Sequence, residues 1–165
     1  MKWLKNIYLL SILCLFISRT TGSCQQKFID SLKRYETGMQ KAAVSWKKGD
    51  YSLALDIVGK SRSELLPAMP APADSFAWLG FSAMKTYTLL FTRLIEHDLH
   101  RSRNESRLSQ LSLRQIGEWS DILLDQGREW YKLPVASEGC DQFRRRWLSR
   151  FSRVIKKSQQ LKPGE

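Results

Sequence analysis

The two histidines of the chain lie in one acidic stretch and are the first residues to consider for metal chemistry. They are His97 and His100, in the segment that also holds Glu96 and Asp98. On a helix, Glu96 and His100 share a face, so the stretch could supply two or three ligands to Zn²⁺ or Cu²⁺. A closed zinc site needs four ligands, and Cys140 has no fixed relation to this pair. We therefore favour a polar cluster at the end of a helix, and we expect no metal or other cofactor.

The short motifs that mark common catalytic sites are missing from the sequence. A hydrolase needs a nucleophile, a base and an orienting group, or two carboxylates in one pocket. Serines are frequent, but there is no Gly-x-Ser-x-Gly motif, no phosphate-binding loop and no dinucleotide fingerprint. We therefore expect a protein that is not an enzyme and has no catalytic residues.

A basic amphipathic segment near the C-terminus is the strongest candidate for binding. Residues 141–157 contain seven basic residues and one acid. Apolar residues at helical spacing form a seam, and the basic residues fall away from it. The predicted partner-binding residues are Arg145, Arg146, Arg150, Arg153 and Lys157. They could hold an acidic protein partner or lie on an anionic membrane surface. The alternative is a closing helix whose seam is in the core and whose charges are solvated.

The net charge agrees with an anionic partner without identifying it. The formal charge is +11, and it is +8 once the three basic residues of the N-terminal segment are left out. Such an excess is compatible with nucleic acid, anionic lipid or an acidic protein. We exclude nucleic acid, because the N-terminal segment predicts export and nucleic acid stays inside the cell.

Residues 1–23 have the order of features found in a secretory signal peptide. Lys2 and Lys5 precede an apolar run of eleven residues, 7–17, which only Ser11 interrupts. The run has the length of a signal core and is shorter than the roughly 20 residues of a membrane-spanning helix. The sequence therefore predicts a cleaved signal peptide at 1–23 and a single domain at 24–165.

Small residues and a cysteine follow the apolar run. The sequence Thr21-Gly22-Ser23-Cys24 resembles the lipobox of bacterial lipoproteins, with Thr21 where leucine is usual. The resemblance implies lipidation of Cys24 and anchoring in a bacterial cell envelope. Ordinary cleavage would instead leave Cys24 free to form a disulfide with Cys140 in an oxidising compartment. A free Cys140 supports the first alternative, and an oxidised Cys140 supports the second.

Apolar residues recur at three- and four-residue spacing along the rest of the chain, and no segment alternates as a strand would. The pattern predicts an all-α domain, an antiparallel array or bundle of about five helices. The third helix is apolar on most faces, so we expect it at the centre. Asp50 and Asp74 are expected to cap the helices that follow them. The predicted helices span 25–48, 51–66, 75–101, 105–132 and 141–160.

The connection between the first two helices has a distinctive composition. In order it contains Ala42-Ala43, Trp46, Gly49-Asp50-Tyr51 and Ala54-Leu55. This pattern, within residues 35–67, resembles the turn of a tetratricopeptide repeat, although Trp46 is one position from the usual aromatic. The resemblance implies helical hairpins that bind peptides or proteins without catalysis. Any αα-hairpin with a favourable turn would carry a similar signature.

These features together predict an extracytoplasmic, protein-binding helical adaptor. In the first hypothesis it is a membrane-anchored lipoprotein of the bacterial envelope or periplasm, an accessory factor in secretion or envelope assembly. In the alternative it is a secreted, disulfide-closed bundle that acts as a soluble ligand or effector. Asn104, in the sequence Asn-Glu-Ser, would be a glycosylation acceptor if the source is eukaryotic.

Overall fold

The computed structural model describes residues 25–161, which form an array of α-helices without a strand in that range. The predicted all-α fold class is confirmed. Helical residues 25–31 lead into α1, and a 3₁₀ turn at Leu66–Ala68 follows α2. The α-helices are α1 (Lys33–Lys47), α2 (Tyr51–Leu65), α3 (Ser75–Ser102), α4 (Ser106–Lys132) and α5 (Glu138–Gln160). The predicted leader at 1–23 and Cys24 lie outside the described residues.

The odd-numbered helices run parallel to one another, and the short connections make α2 and α4 antiparallel to them. Along α1, the Tyr35 hydroxyl lies 2.8 Å from Thr88 Oγ1. Further on, Trp46 Nε1 donates to Asp98 Oδ2 at 2.8 Å, near the end of α3. The second contact lies farther toward the C-terminus than the first in both α1 and α3, so these two helices are parallel.

Helix α3 is the central element, as its sequence predicts. Its buried residues lie all around the helix, and they include Phe81, Met84, Leu90 and Leu94. An aromatic cluster joins it to α1, α4 and α5, with neighbouring ring centroids 5.5–6.4 Å apart. A helix with apolar residues on most faces has no side that water can solvate well, so the other helices pack around it.

Two glycines allow helices to approach closely. A Cβ atom placed on Gly80 of α3 would lie 2.7 Å from the indole of Trp130 on α4. A Cβ on Gly38 of α1 would overlap the hydroxyl of Ser61 on α2. Since interiors are close-packed, neither position has room for a side chain.

Both predicted N-cap residues stand at helix starts, but only one of them makes a side-chain capping bond. Asp74 caps α3, because its Oδ1 accepts a hydrogen bond from the amide of Ala77 at 3.0 Å. Asp50 occupies the predicted N-cap position of α2, but its side chain makes no capping hydrogen bond. The preceding Gly49, with φ of +85°, still ends α1 in the left-handed conformation that glycine tolerates.

Helix α5 begins three residues earlier than predicted. Ser137 is its N-cap, since its Oγ accepts from the amide of Cys140 at 3.2 Å. Gly139, which the sequence places in a loop, is therefore in the first turn. Serine strongly favours the N-cap position, whereas glycine favours loops. At the start of α5 the preference of Ser137 prevails, and Gly139 becomes helical.

The first turns of α4 also differ from the prediction. Leu108 and Leu111 belong to the predicted apolar stripe, but both are exposed. Farther along α4, Ser112 and Ser120 are buried instead, and Ser120 Oγ lies 2.8 Å from Ser158 Oγ of α5. Small residues face the neighbouring helices because they permit close packing, which a purely apolar pattern does not reveal.

Candidate binding groove

The basic residues of α5 divide into two sets by their position on the helix. Phe143, Trp147, Phe151 and Val154 are buried, as the predicted apolar seam requires. Beside them runs a row with spacings of four, three and four residues, which places its members on one side of the helix. This basic stripe consists of Arg146, Arg150, Arg153 and Lys157.

The last three residues of the basic stripe form one wall of a groove between α1 and α5. The groove has a volume of about 700 Å³. The α1 wall is mostly small or apolar, with Ala43 and Val44 at its centre. Side chains from α1, α3 and α5 form an apolar floor beneath it: Met39, Tyr87, Phe91 and Val154. The α1 wall also carries Lys47, and Asp98 of α3 is the one acid among the lining residues. A groove with an apolar floor and mainly positive charge on its walls favours an amphipathic anionic occupant.

An ion pair between α1 and α5 bounds the groove on one side. Arg150 Nη2 lies 2.8 Å from Glu36 Oε1, and the two side chains are only 18% and 17% exposed. The guanidinium also lies over the ring of Trp147, at 4.6 Å from its centroid. Arg150 therefore holds the two helices in position, and its charge is already matched by an acid of this chain.

A second polar contact closes the other end of the groove. Lys157 Nζ lies 3.2 Å from Asp98 Oδ2 on α3. The same ammonium is 3.5 Å from the ring centroid of Trp46, whose Nε1 donates to the same carboxylate oxygen. Ammonium, indole and carboxylate thus connect α5, α1 and α3. Like Arg150, Lys157 has an internal acidic partner.

Three basic side chains near the groove lack an acidic partner among residues 25–161. Arg146, Arg153 and Lys47 are exposed, and none lies within 4.0 Å of a carboxylate of the described chain. Arg153 Nε donates to the carbonyl of Ser149 at 3.3 Å, which leaves its two terminal nitrogens available. Lys47 and Arg153 line the groove, and Arg146 lies about one turn before the start of its α5 wall. These three residues, two of which belong to the predicted set of five, carry the positive charge at and beside the groove that is free for another molecule.

The floor of the groove remains uncharged at neutral pH. Burial raises the pKa of the Tyr87 phenol to about 12, an effect that the positive charge of Arg150 opposes in part. On the α1 wall, Val44 is 53% exposed although it is apolar. A single exposed apolar residue is ordinary at a protein surface, so Val44 supports a binding site only in combination with the unpaired cations beside it.

Arg144, which is not among the five predicted partner-binding residues, is buried. Its Nη1 donates to the carbonyls of Trp130 and Leu133 at the end of α4, at 3.2 and 2.6 Å. Its Nη2 pairs with Asp141 at 2.7 Å, and the exposed Arg145 pairs with the other oxygen of that carboxylate at the same distance. Arg144 precedes the buried Phe151 by seven residues and the buried Ile155 by eleven, spacings that return to the same face of a helix, and this was the signal that could have indicated its burial.

The two histidines link α3 to α4 and do not form an exposed cluster. His97 is buried, with its Nδ1 2.9 Å from Ser109 Oγ. His100 Nδ1 lies 2.6 Å from Glu105 Oε2 in the connection to α4. The interpretation of the pair as surface residues at a fraying end is therefore wrong for His97. Within residues 25–161, no three potential His, Cys, Asp or Glu ligands are grouped as a metal site requires.

Cys140 lies buried at the start of α5 and forms no disulfide within the described range. Its Sγ accepts a hydrogen bond from Ser137 Oγ at 3.2 Å. Cys24, the predicted site of lipidation or of a disulfide, is outside that range. Asn104 is exposed in the turn between α3 and α4, with φ of +58°.

Comparison of the chain with protein-family models, curated proteins and solved structures found no match. The resemblances to tetratricopeptide repeats and to a lipobox therefore stay predictions. Among the helices of residues 25–161, none is both long and apolar enough to cross a bilayer. The function has to be argued from the groove itself.

Proposed function

We propose that the protein is an extracytoplasmic, non-enzymatic helical module that holds a protein partner in the groove between α1 and α5. In this proposal it is a lipoprotein anchored to a bacterial envelope through Cys24, where it serves secretion or envelope assembly as an accessory factor. The observation that carries the proposal is the combination of an open apolar groove and the unpaired cations Lys47, Arg146 and Arg153.

A protein partner explains the features of α5 better than a membrane surface does. A helix that binds in a bilayer interface buries its apolar face about 5–10 Å into the lipid. The apolar seam of α5, from Phe143 to Ile155, is already buried against the other helices. Its basic stripe also borders a concave groove, whereas a bilayer offers a flat surface. The only interaction left for a membrane surface would be the electrostatic attraction between the basic stripe and anionic lipid, which salt screens strongly.

The length of the helical segment that starts at Gln25 and continues through α1 supports a groove directed away from the proposed anchor. Gln25, the first described residue, accepts a hydrogen bond through its Oε1 from the amide of Ala136 at 3.0 Å. Trp46, at the far end of the groove, is 21 residues farther along a nearly continuous helix, or about 30 Å at 1.5 Å per residue. A chain anchored at Cys24 would thus extend its groove outward, where a partner can reach it.

The proposal is tested by capturing partners on the processed protein. The purified protein, and variants with Arg146→Glu plus Arg153→Glu, would be cross-linked in native envelopes. A matched control carries Arg62→Glu plus Arg107→Glu, exposed changes on α2 and α4. We expect specific partners to be lost with the groove variant and kept with the control. If the groove variant captures the same partners as the control, the groove is not the binding site and the proposal is wrong.

The secreted, disulfide-closed alternative has one observation in its favour. The contact between Gln25 and Ala136 brings the start of the described chain beside the turn that leads into Cys140. The intact mass of the processed chain separates the alternatives. Added lipid at Cys24 supports the anchored form, and a mass two hydrogens below that of the reduced, unlipidated chain supports the disulfide.

A further inference from the structure

We propose that the occupant of the groove is an acidic amphipathic helix of the partner protein. Its apolar side chains would rest on the floor, and its carboxylates would meet Lys47, Arg146 and Arg153. This inference rests on the proposed function, which requires only that a protein partner binds here, and it specifies the chemistry and the secondary structure of that partner.

The length of the basic stripe matches a helical partner. Lys157 lies eleven positions after Arg146, so the stripe extends over about 16 Å or three turns of helix. A helix aligned with α5 brings side chains to one face every three or four residues, at the same intervals as the stripe. Carboxylates at those positions would therefore face the unpaired cations in register.

The difference between the two walls requires an amphipathic occupant. On α1 the side chains of Ala43 and Val44 allow close approach, since they are small and lack charge. On α5 the exposed Arg153 offers two donor nitrogens suited to a carboxylate. An occupant with apolar residues toward Ala43, Val44 and the floor, with acids along the α5 flank, and with one acid at the end that faces Lys47, satisfies both walls. A uniformly acidic segment would leave the floor uncovered, and a purely apolar one would leave the cations without partners.

The open shape of the groove argues against a small ligand. Sites for small molecules commonly enclose 70–90% of the ligand surface. Here the wall residues Val44, Lys47 and Arg153 are all exposed, so the groove is open along its length. Docking of an amphipathic helix into an apolar groove is a common mode of recognition, and it needs this open geometry.

The test uses three fluorescent probes with the full processed chain. The first is a 20-residue helical peptide with leucine on one face and glutamate on an adjoining flank. The second has the same composition in scrambled order, and the third is a phosphatidylglycerol vesicle. Fluorescence anisotropy of the peptides and co-sedimentation of the vesicles measure binding. We expect the helical peptide to bind at least about tenfold more tightly than the scrambled one, because only it covers both walls.

Matched variants locate the binding within the groove. Val44→Glu places an acid on the α1 wall, and Leu53→Glu is the control, since Leu53 is an equally exposed apolar residue on α2. Arg153→Glu reverses a charge at the groove, and Arg62→Glu is its control on α2. We expect the two groove variants to weaken binding of the helical peptide about tenfold or more, and the controls about twofold or less. Circular dichroism verifies that all four exposed variants fold.

The other outcomes contradict the helical occupant alone, or the helical occupant together with the proposed function. Equal binding of the two peptides, or unchanged binding by Val44→Glu, would overturn the helical occupant. If envelope partners still depended on Arg153 in that case, the proposed function would stand without this inference. A third outcome is that the vesicles bind, while Arg153→Glu changes neither the binding of the helical peptide nor the capture of envelope partners. In that case the inference and the proposed function would both be wrong.

Discussion

Replacement of Arg144 by methionine should destabilise the fold far more than the same change at Arg145. Both arginines pair with the carboxylate of Asp141, but the Arg144 side chain is 7% exposed and that of Arg145 is 74% exposed. Methionine keeps much of the apolar stem in each case and removes every hydrogen-bond donor. The comparison therefore isolates what the buried guanidinium contributes at the end of α4.

The expected size of the effect follows from the bonds that are lost. The guanidinium donates to two carbonyls at the C-terminus of α4, that of Leu133 and that of Trp130, and the latter also accepts from the amide of Leu133. A hydrogen bond from a charged donor contributes about 1.5–3 kcal/mol. Arg144 Nε is itself buried without a partner among the described residues, so its removal offsets part of the loss. We expect a destabilisation of about 3 kcal/mol, which corresponds to about 10 °C in Tm for a domain of this size.

Urea denaturation, followed by circular dichroism and by tryptophan fluorescence, measures the free energy of unfolding of both variants. For Arg145→Met the expected change is below about 1 kcal/mol, because exposed ion pairs contribute little. Buried ion pairs can in some proteins be replaced by apolar residues without loss. If Arg144→Met unfolds within about 1 kcal/mol of Arg145→Met, the conclusion that Arg144 secures the end of α4 is refuted.

Three further predictions concern the core. Gly80→Ala should destabilise by about 1–3 kcal/mol, since the added methyl would press on Trp130, and a urea midpoint near that of the parent would contradict the packing. Tyr35→Phe should lower the free energy of unfolding by about 1 kcal/mol, because a buried hydrogen bond to Thr88 is lost, and a crystal structure would check that the ring stays in place. Burial raises the pKa of Tyr35 and Tyr87 above the ordinary value of 10.0, so the unfolded chain loses these phenol protons at a lower pH than the folded protein does. Stability should therefore fall between pH 10 and about 12, with a smaller decline in Tyr35→Phe.

Much of the fold could be predicted from the sequence, because helical periodicity is a local property. The spacing of apolar residues identified each described helix and the central position of α3. Signals that depend on one residue type were also reliable: Asp74 caps the start of α3, and Gly49 adopts the positive φ that ends α1. Errors arose where tertiary packing overrode the pattern, as with the exposed Leu108 and Leu111 of α4.

The candidate site was predictable only in part. The sequence indicated that the C-terminal helix carries a cluster of basic residues beside an apolar seam, and that remains the basis of the proposal. It could not show that Arg150 and Lys157 already have acidic partners on α1 and α3. Glu36 and Arg150 are more than one hundred residues apart in the chain, so no local spacing relates them.

The sequence by itself determined which segments become helices and which face of each is apolar, since both depend on residues within one or two turns of each other. The tertiary structure alone decided which charges are buried, which are paired and which remain free. That choice depends on how five helices pack, because a guanidinium such as that of Arg144 is buried only where carbonyls of another helix can accept its protons. The groove exists for the same reason: α1 and α5 both pack on α3 and leave an open space between them.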